Sequence, residues 1–516
     1  MTDPSQRIPL HEKLGYSAAD AAANFVFMSM ILFQGAFYTD VMGLGSGVAA
    51  LVILVPRLWD AFFDPIMGAL ADRTRTRWGR FRPWILWTAL PWGVVLYLSY
   101  TVPSFSGGAL VAYAVLTNSL LMTLYSANNM PYSALGGVMS ADIQERAKLN
   151  SFRFIAVNAA QFIVQGFTLV WVSKFAGLPS PGHPKGDLAH GWSVVYAFYA
   201  ILCVTCFLIT FATTRERVQP VQPQESSIRQ DFRDLLRNSP WAVMFFMTLI
   251  HFTILAFRGG AEYQYYQLYA DKQAMFDFIK PLGLTAPALA PNQPAPGGFL
   301  EMLGYVVHAD PAHIASSNVA NAVYGLAGMI GKLVTILAIL FSAPLAKRFG
   351  KKSICVAGFA LMIVNSFAFY FLKPADIGLM ILLTITGSLF YAPTIPLLWA
   401  IFADVADYSE WKTGRRATGT IFATIGFALK AGLAIGAYGL LEVQASLHYD
   451  PNAITPEIVS MFRICTSLVP AILFAMCTLL LLAYRLDKER TLQMADELAA
   501  RRVISPSFIP DEQQPL

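Results

Sequence analysis

Long apolar runs alternate with short polar loops along almost the whole chain. A helix that crosses a membrane needs about 20 consecutive apolar residues, and runs of that kind can be laid out twelve times in this sequence. The pattern predicts spans at residues 17–40, 45–71, 83–103, 108–139, 152–176, 191–213, 240–268, 317–343, 353–373, 377–403, 417–445 and 458–484. The sequence therefore predicts an all-α polytopic membrane protein with twelve transmembrane helices.

Composition supports this prediction. Charged residues make up 13% of the chain and apolar residues 56%, whereas a soluble domain carries roughly 25% charged residues. The net charge of +5 does not indicate nucleic-acid binding, because the basic residues fall at the ends of apolar runs rather than on one surface. Cys203 and Cys206 form a CxxC without polar neighbours that would activate a thiolate. We expect no cofactor and no redox or metal site there.

Basic residues are concentrated in every second loop, from the loop around Arg73 to the loop around Arg415. Loops rich in arginine and lysine stay in the cytoplasm, so we expect this side and both termini to be cytoplasmic, in the plasma (inner) membrane of a bacterium. We expect no cleavable leader, because the polar start of the sequence runs directly into the first apolar stretch, and the first span is expected to be the insertion signal. The longest loop on the other side, 271–316, is rich in Pro, Gly and Ala and is predicted to form an external cap.

A polar stretch at 214–239 separates six predicted spans from six. It predicts an N-terminal bundle at 1–213, a cytoplasmic linker, a C-terminal bundle at 240–485 and a cytoplasmic tail at 486–516. "GALADRTRTRWGRFRPW" after the second span resembles "APLAKRFGKKSICVAG" after the eighth. Duplicated halves of this kind are typical of secondary transporters.

Two acids, Asp60 and Asp64, lie inside the second apolar run. An ionisable side chain in the bilayer costs a few kcal/mol, so it normally faces a partner or a watery cavity. A spacing of four places both carboxylates on one helix face, where they repel each other unless a cation or a shared proton lies between them. The pair suits a coupling cation or a proton. The alternative is an ion pair within the bundle, with Arg57 as the partner of Asp60.

Further polar residues lie inside predicted spans. Asp20 and Asn24 share a face of the first span, and Lys430 is the lone charge in "IFATIGFALKAGLAIGAYG" of the eleventh. A buried lysine is costly unless it is paired, so we expect Lys430 to face the cavity or an acid. Polar side chains also precede Pro131 in the fourth span: Tyr125, Ser126, Asn128 and Asn129.

Charged residues at the cytoplasmic ends of the spans are predicted to form ion pairs that gate access. These residues are Asp72 with Arg73, and Asp404, Asp407 and Glu410 with Arg415 and Arg416. Arg258 and Glu262 in the seventh span are spaced for a local salt bridge or an outer gate. Trp399 in the tenth span is either a packing residue or an aromatic surface for stacking against a sugar.

Three segments carry a family resemblance: "RLWDAFFDPIMGALADRTRTRWGRFRPWI", "YSANNMPYSALGGVMSADIQERAKLNSFR" and "IFADVADYSEWKTGRRATG". They resemble the signature segments of the glycoside-pentoside-hexuronide:cation symporters, the branch of the major facilitator superfamily that includes melibiose permease. The likeness extends over nearly all of residues 13–485. It implies two six-helix bundles, alternating access around a central site, and sugar uptake coupled to sodium, lithium or a proton.

The resemblance also implies roles for individual residues. Asp60 and Asp64 match the two cation-site aspartates of the family, and Ser126 matches a hydroxyl ligand. Asn24, Asn129, Arg153 and Lys430 align with positions that line the sugar and coupling sites of the family, and Asp20 matches an acid of the first helix. With Tyr125 and Trp399 from the candidates above, the expected substrate site consists of Asp20, Asn24, Tyr125, Asn129, Arg153, Trp399 and Lys430.

Four positions depart from melibiose permease. Phe63 stands in place of a cation-site asparagine, which removes an oxygen ligand and favours a proton over sodium as the coupling ion. Asn24 and Asn129 replace two sugar-binding aspartates, and Ser133 replaces a tryptophan. The pocket therefore keeps its hydrogen-bonding capacity but loses negative charge, so both a neutral glycoside and a hexuronide are compatible with it.

Two functions from different classes remain open. The first is a cation-coupled symporter of a sugar or glycoside; the second is a transporter of a lysolipid or another amphiphile on the same fold. A sensor without transport activity would leave the paired acids and Lys430 without a use. The sequence shows no nucleophile-base set typical of an enzyme. The expected partners are a small sugar, a coupling cation (H⁺ or Na⁺) and membrane lipid, without nucleic acid, and the monomer is the expected functional unit.

Overall fold

The computed structural model describes residues 7–140, 142–177, 186–217, 235, 238–287, 297–309, 314, 317–413 and 418–504. Long helices dominate this part of the chain. Those of the first half are α1 (Leu10–Leu32), α3 (Ser46–Arg73), α4 (Arg82–Ser99), α5 (Gly107–Val138), α6 (Ile143–Ala176) and α7 (Leu188–Thr213). After a bend of 62°, a short α2 (Gln34–Ala36) and a π-helical turn (Phe37–Val41) extend α1.

The second half begins with α8 (Ser239–Leu268). Its other helices are α11 (Val319–Leu340), α12 (Ser342–Phe349), α13 (Lys351–Phe369), α14 (Ile377–Tyr391), α15 (Thr394–Thr413), α16 (Thr418–Ser446), α17 (Pro456–Thr466) and α18 (Leu468–Ala483). Between α8 and α11 lie α9 (Lys272–Ile279), a 3-10 turn (Lys280–Leu282), β1 (Thr285–Ala286), α10 (Phe299–Met302) and β2 (Val307–His308). A last helix, α19 (Lys488–Ile504), follows α18.

Eleven segments of the described chain are long and apolar enough to cross a membrane, if α1 and its bent extension count as one. Besides this bent pair, two of the eleven consist of two consecutive helices, namely α14 with α15 and α17 with α18. The remaining predicted span is α4, whose arginine, two prolines and three tryptophans lower its mean hydropathy. It nevertheless packs along α5 and α7 as part of the first half. The predicted fold class of twelve transmembrane helices in two bundles is confirmed.

The two halves meet along two main helix pairs. Helix α3 packs against α16, and α6 packs against α11. The backbones of α6 and α11 approach each other closely at Gly325 of α11, where an added Cβ would lie 2.5 Å from the backbone oxygen of Gly166 in α6. Polar side chains on α3, α6, α11 and α16 can therefore interact across the boundary between the halves.

The segment at 271–316 joins the second half to the first. Its two short strands pair in parallel, Thr285 with Val307 and Ala286 with His308. The Tyr305 hydroxyl donates to the backbone oxygen of Gly166 at 2.6 Å. The described parts of this segment therefore form a cap that is anchored on α6.

Side-chain contacts close the face that carries this cap, here called the capped face. Gln264 and Tyr449 of the second half donate to the Asp40 carboxylate at 2.7 and 3.1 Å. Asn321 of α11 donates to the Ser173 hydroxyl of α6 at 2.6 Å. On this face the halves are held together by hydrogen bonds as well as by apolar packing.

The other face carries the arginine-rich loops and is here called the basic face. The Glu216 carboxylate accepts three backbone N–H groups, those of Arg80, Phe81 and Arg82, at 2.9, 2.8 and 3.1 Å. Hydrogen bonds from Lys13 and Lys148 lower the pKa of Glu145 to about 2. Residues 214–217, predicted as the start of the linker, thus reach back to the first half. The predicted domain boundaries stay predictions, because 218–234 lies outside the described residues.

The contact between Gly325 and Gly166 predicts a way to open the capped face. Gly325→Ala should push α11 away from α6, because a Cβ would overlap a backbone atom and overpacking costs about 1–3 kcal/mol. A cysteine introduced at Ser173 should then react about tenfold faster with a membrane-impermeant maleimide. Gly137→Ala is the matched control, since a Cβ there meets nothing within 4 Å. Equal labelling rates in both variants would contradict the prediction.

Candidate transport site

The most highly charged cluster within the described membrane region lies where α3, α5 and α16 meet. The Ser126 hydroxyl of α5 lies 2.5 Å from an Asp64 oxygen and also contacts Asp60. The Lys430 ammonium of α16 lies 2.8 Å from an Asp60 oxygen and also pairs with Asp64. These side chains are buried or nearly so, with exposed fractions of 8% for Asp60, 20% for Asp64 and 18% for Lys430. The acids on α3 are therefore held by a cation from the other half.

Arg57 is not the partner of Asp60 in the structure. Its guanidinium donates to the backbone oxygen of Leu433 at 2.6 Å and to that of Met30 at 3.4 Å. The alternative prediction of a pair between Arg57 and Asp60 is therefore wrong. Its i−3 spacing suggested a local contact, but the guanidinium reaches across to α16 instead. Arg57 forms a second link between α3 and α16.

The charge of this cluster leaves room for one more positive ion. Two ionised carboxylates and one ammonium sum to −1, so a proton or a monovalent cation would neutralise the group. Phe63 is half-buried and its ring stacks near Trp59 at 5.9 Å, so it adds no oxygen ligand. Within the described ranges, no group of three or more His, Cys, Asp or Glu side chains could hold a metal ion.

A second polar cluster lies between α1 and α6. Arg153 pairs with Asp20 at 2.9 Å, and its guanidinium lies 5.6 and 5.2 Å from the ring centres of Tyr16 and Tyr132. An arginine held by a carboxylate and two aromatic rings has a fixed position. It can present its remaining N–H groups to a ligand.

From this cluster a string of hydrogen bonds crosses to the second half. Asn24 donates to the backbone oxygen of Asp20 at 2.9 Å, and Gln161 donates to the Asn24 side-chain oxygen at 2.9 Å. The Lys332 ammonium of α11 then donates to the Gln161 oxygen at 2.6 Å. The sequence reasoning missed Gln161 and Lys332. A lone lysine inside an apolar run, the signal that singled out Lys430, was present at Lys332 as well.

The remaining predicted substrate residues are placed differently. Asn129 is half-buried on α5, and among the described residues its side chain has no hydrogen-bond partner. Tyr125, one turn earlier, packs its ring 5.5 Å from Trp92. Trp399 is 44% exposed and contacts Phe402, and no ring contact or hydrogen bond in the described chain joins it to either cluster.

The amino-acid sequence has relatives over almost its whole length. The family model for MFS/sugar transport proteins matches residues 15–290 and 312–488. A putative glycoside/cation symporter, YagG of Escherichia coli (strain K12), is 32% identical over 98% of both chains. The chain belongs to the MFS/sugar transport protein family.

Other relatives agree with this assignment. The isoprimeverose transporter of Lactiplantibacillus pentosus is 29% identical over 95% of this chain and 91% of its own. The crystal structure of a point mutant of the nucleoside transporter NupG superposes with a TM-score of 0.62 at 13% identity, over 92% of this chain and 99% of that one. This MFS/sugar transport protein is therefore a membrane transporter and not an enzyme.

The predicted gating charges of this MFS/sugar transport protein are only partly described. Asp404 pairs with Lys351 of α13 at 2.6 Å, a partner that the sequence reasoning did not name. Arg73 is exposed at the end of α3. The Asp72 side chain, Arg415 and Arg416 lie outside the described residues, and the pairing of Asp407 and Glu410 with those arginines stays a prediction. In the seventh predicted span, Arg258 and Glu262 pair at 3.8 Å.

The ion pair between Lys430 and the two aspartates of α3 should contribute to the thermal stability of the protein. Lys430→Met should lower the temperature of thermal unfolding, because removing one partner of a buried ion pair costs about 3–5 kcal/mol. The double variant Lys430→Met, Asp60→Asn should regain much of the lost stability, because it has only one carboxylate without a counter-charge instead of two. Thermal unfolding of both variants in detergent measures this. A double variant no more stable than Lys430→Met would contradict the electrostatic explanation.

Proposed function

We propose that this protein is a symporter that moves a sugar or glycoside together with a proton by alternating access. The supporting observation is the position of the Asp60, Asp64, Ser126 and Lys430 cluster. It joins α3 of one half to α16 of the other. A bound cation would compete with Lys430 for the carboxylates and weaken that link. Ion binding would thereby control how the halves move.

A proton suits this site better than sodium. A serine hydroxyl has one proton to donate, yet Ser126 lies in hydrogen-bond contact with both carboxylates. Both contacts are satisfied together only when one carboxyl carries a proton. Sodium would need several oxygen ligands, whereas Phe63 supplies none and the Lys430 ammonium occupies part of the carboxylate surface.

The substrate site proposed here lies beside this cluster. It is formed by Asp20, Asn24, Tyr125, Asn129 and Arg153 of the first half, and it shares Lys430 of the second half with that cluster. Trp399 is left out of the proposed site, because no contact in the described chain joins it to either cluster. Amide groups both donate and accept hydrogen bonds, and sugars present hydroxyl groups that do the same. The polar string through Asn24 and Gln161 favours a sugar over a lysolipid. The names of the relatives, a glycoside/cation symporter and an isoprimeverose transporter, agree with this choice.

The proposed orientation places the basic face in the cytoplasm. Positively charged loops remain on that side during insertion, and both described chain ends lie there, at the start of α1 and in α19. In a bacterial inner membrane the capped face would be external. The contacts of Asp40 with Gln264 and Tyr449 would then form the external closure, which must break for the substrate to enter.

The coupling role of Asp64 can be tested by uptake in proteoliposomes. Asp64→Asn should abolish accumulation against a gradient, because it removes a charge that links ion to substrate, while exchange of substrate across the membrane persists. Asp277→Asn, an exposed change in α9, is the control. Full accumulation by Asp64→Asn would refute the site. Uptake that follows a sodium gradient and ignores a collapsed pH gradient would refute the proton.

The substrate role of Asn129 can be tested by comparing it with the adjacent Asn128. Asn129→Ala should weaken sugar binding by tens of fold, since a lost hydrogen-bond partner costs about 1–3 kcal/mol, with little change in thermal stability. Asn128 donates to the Thr88 hydroxyl at 2.8 Å, so Asn128→Ala should lower stability instead. Binding to purified protein and thermal unfolding separate these effects. Unchanged sugar affinity in Asn129→Ala would favour the lysolipid alternative.

A further inference from the structure

Lys332 is a membrane-embedded cation with an unusual set of contacts. It is half-buried on α11, and its ammonium donates to the Gln161 side-chain oxygen across the boundary between the halves. Among the described residues, no carboxylate forms an ion pair with it. Three other cations inside predicted spans are better compensated: Arg153 by Asp20, Lys430 by Asp60 and Asp64, and Arg57 by two backbone oxygens.

A lysine with a single neutral partner is poorly stabilised in a membrane. A charged side chain at this depth costs a few kcal/mol unless an opposite charge or water compensates it. One amide oxygen supplies only part of that compensation. An anion that visits the site during the transport cycle would supply the rest.

The surroundings of Lys332 indicate that the visiting anion is part of the substrate. Gln161 connects Lys332 to Asn24, which in turn contacts the backbone of Asp20. Lys332 therefore lies at the end of the hydrogen-bonded string that begins at the proposed sugar site. A sugar hydrogen-bonded by Asn24 could place a substituent near the ammonium, where it would replace the Gln161 oxygen.

We propose that Lys332 binds an acidic group, such as a carboxylate, on the transported sugar, and that this contact selects acidic sugars over their neutral counterparts. The inference rests on the proposed sugar transport and names the substrate class for that site. It assigns Lys332 a role in specificity that is distinct from the pairing of Lys430 with the acids of α3.

An acidic substrate would also change the net charge that is moved in each transport cycle. A proton on the Asp60 and Asp64 pair and one negative charge on the sugar sum to zero. Moving both together transfers no net charge, so uptake would be insensitive to the membrane potential. A neutral sugar moved with one proton would instead be driven by an inside-negative potential.

The test uses pairs of sugars that differ only in the acidic group. Glucuronic acid with glucose, galacturonic acid with galactose, and their methyl glycosides are titrated into purified full-length protein. We expect at least one acidic member to bind about tenfold or more tightly than its neutral partner. Lys332→Gln should weaken binding of the acid by about ten- to hundredfold, as for a lost hydrogen bond to a charged group, and leave that of the neutral sugar unchanged.

Two further variants complete the experiment. Lys332→Arg keeps the charge and should retain most of the preference for the acid. Lys373→Gln removes an exposed lysine and should change nothing. Unchanged binding of the neutral sugar also shows that Lys332→Gln is folded.

Two results would overturn the inference while leaving sugar transport intact. One is equal binding of both members of every pair by the unmodified protein. The other is an equal loss of binding affinity for the acidic and the neutral sugar in Lys332→Gln, which would mean that Lys332 only positions Gln161 and Asn24. If no member of any pair binds, the proposed sugar function itself fails together with the inference.

Discussion

The ion pair between Lys430 of the second half and the two aspartates of α3 is the interaction on which the account of the whole molecule depends. Ionised groups cannot remain unpaired in a bilayer without a cost of several kcal/mol, so this pairing holds α3 and α16 together. Arg57 reinforces the same contact through the Leu433 carbonyl. In the proposed mechanism, an ion that enters the carboxylate pair alters this contact between the halves, and ion binding is thereby coupled to movement.

The second cluster, between α1 and α6, is the proposed substrate site. Arg153 is fixed by Asp20 and two tyrosine rings, and the string through Asn24 and Gln161 ends at Lys332 in the other half. A ligand bound between these groups would contact both halves at once. The proposed site for the ion and the proposed site for the sugar thus share the same boundary, which is the arrangement that alternating access requires.

The sequence predicted the spans and most of the charged residues because ionisable groups stand out in apolar runs, although Lys332 carried this signal and was missed. It could not predict the pairing, since Asp60 and Lys430 belong to different halves and only the packed helices bring them together. The local spacing suggested Arg57 instead, and this was wrong. Gln161 gave no signal, because a neutral amide is tolerated in a span. The paired strands of the cap were also missed, as two-residue strands have no detectable alternation.

The most direct test of the central claim is the measurement of protons taken up when sugar binds. Purified protein in a weakly buffered solution near neutral pH, without sodium, is mixed with a sugar that it binds while a pH indicator is recorded. If the carboxylate pair on α3 carries the coupling proton, sugar binding should draw protons from solution, and Asp64→Asn should abolish this uptake. Sugar binding that takes up no protons at any pH and instead requires sodium would contradict the account.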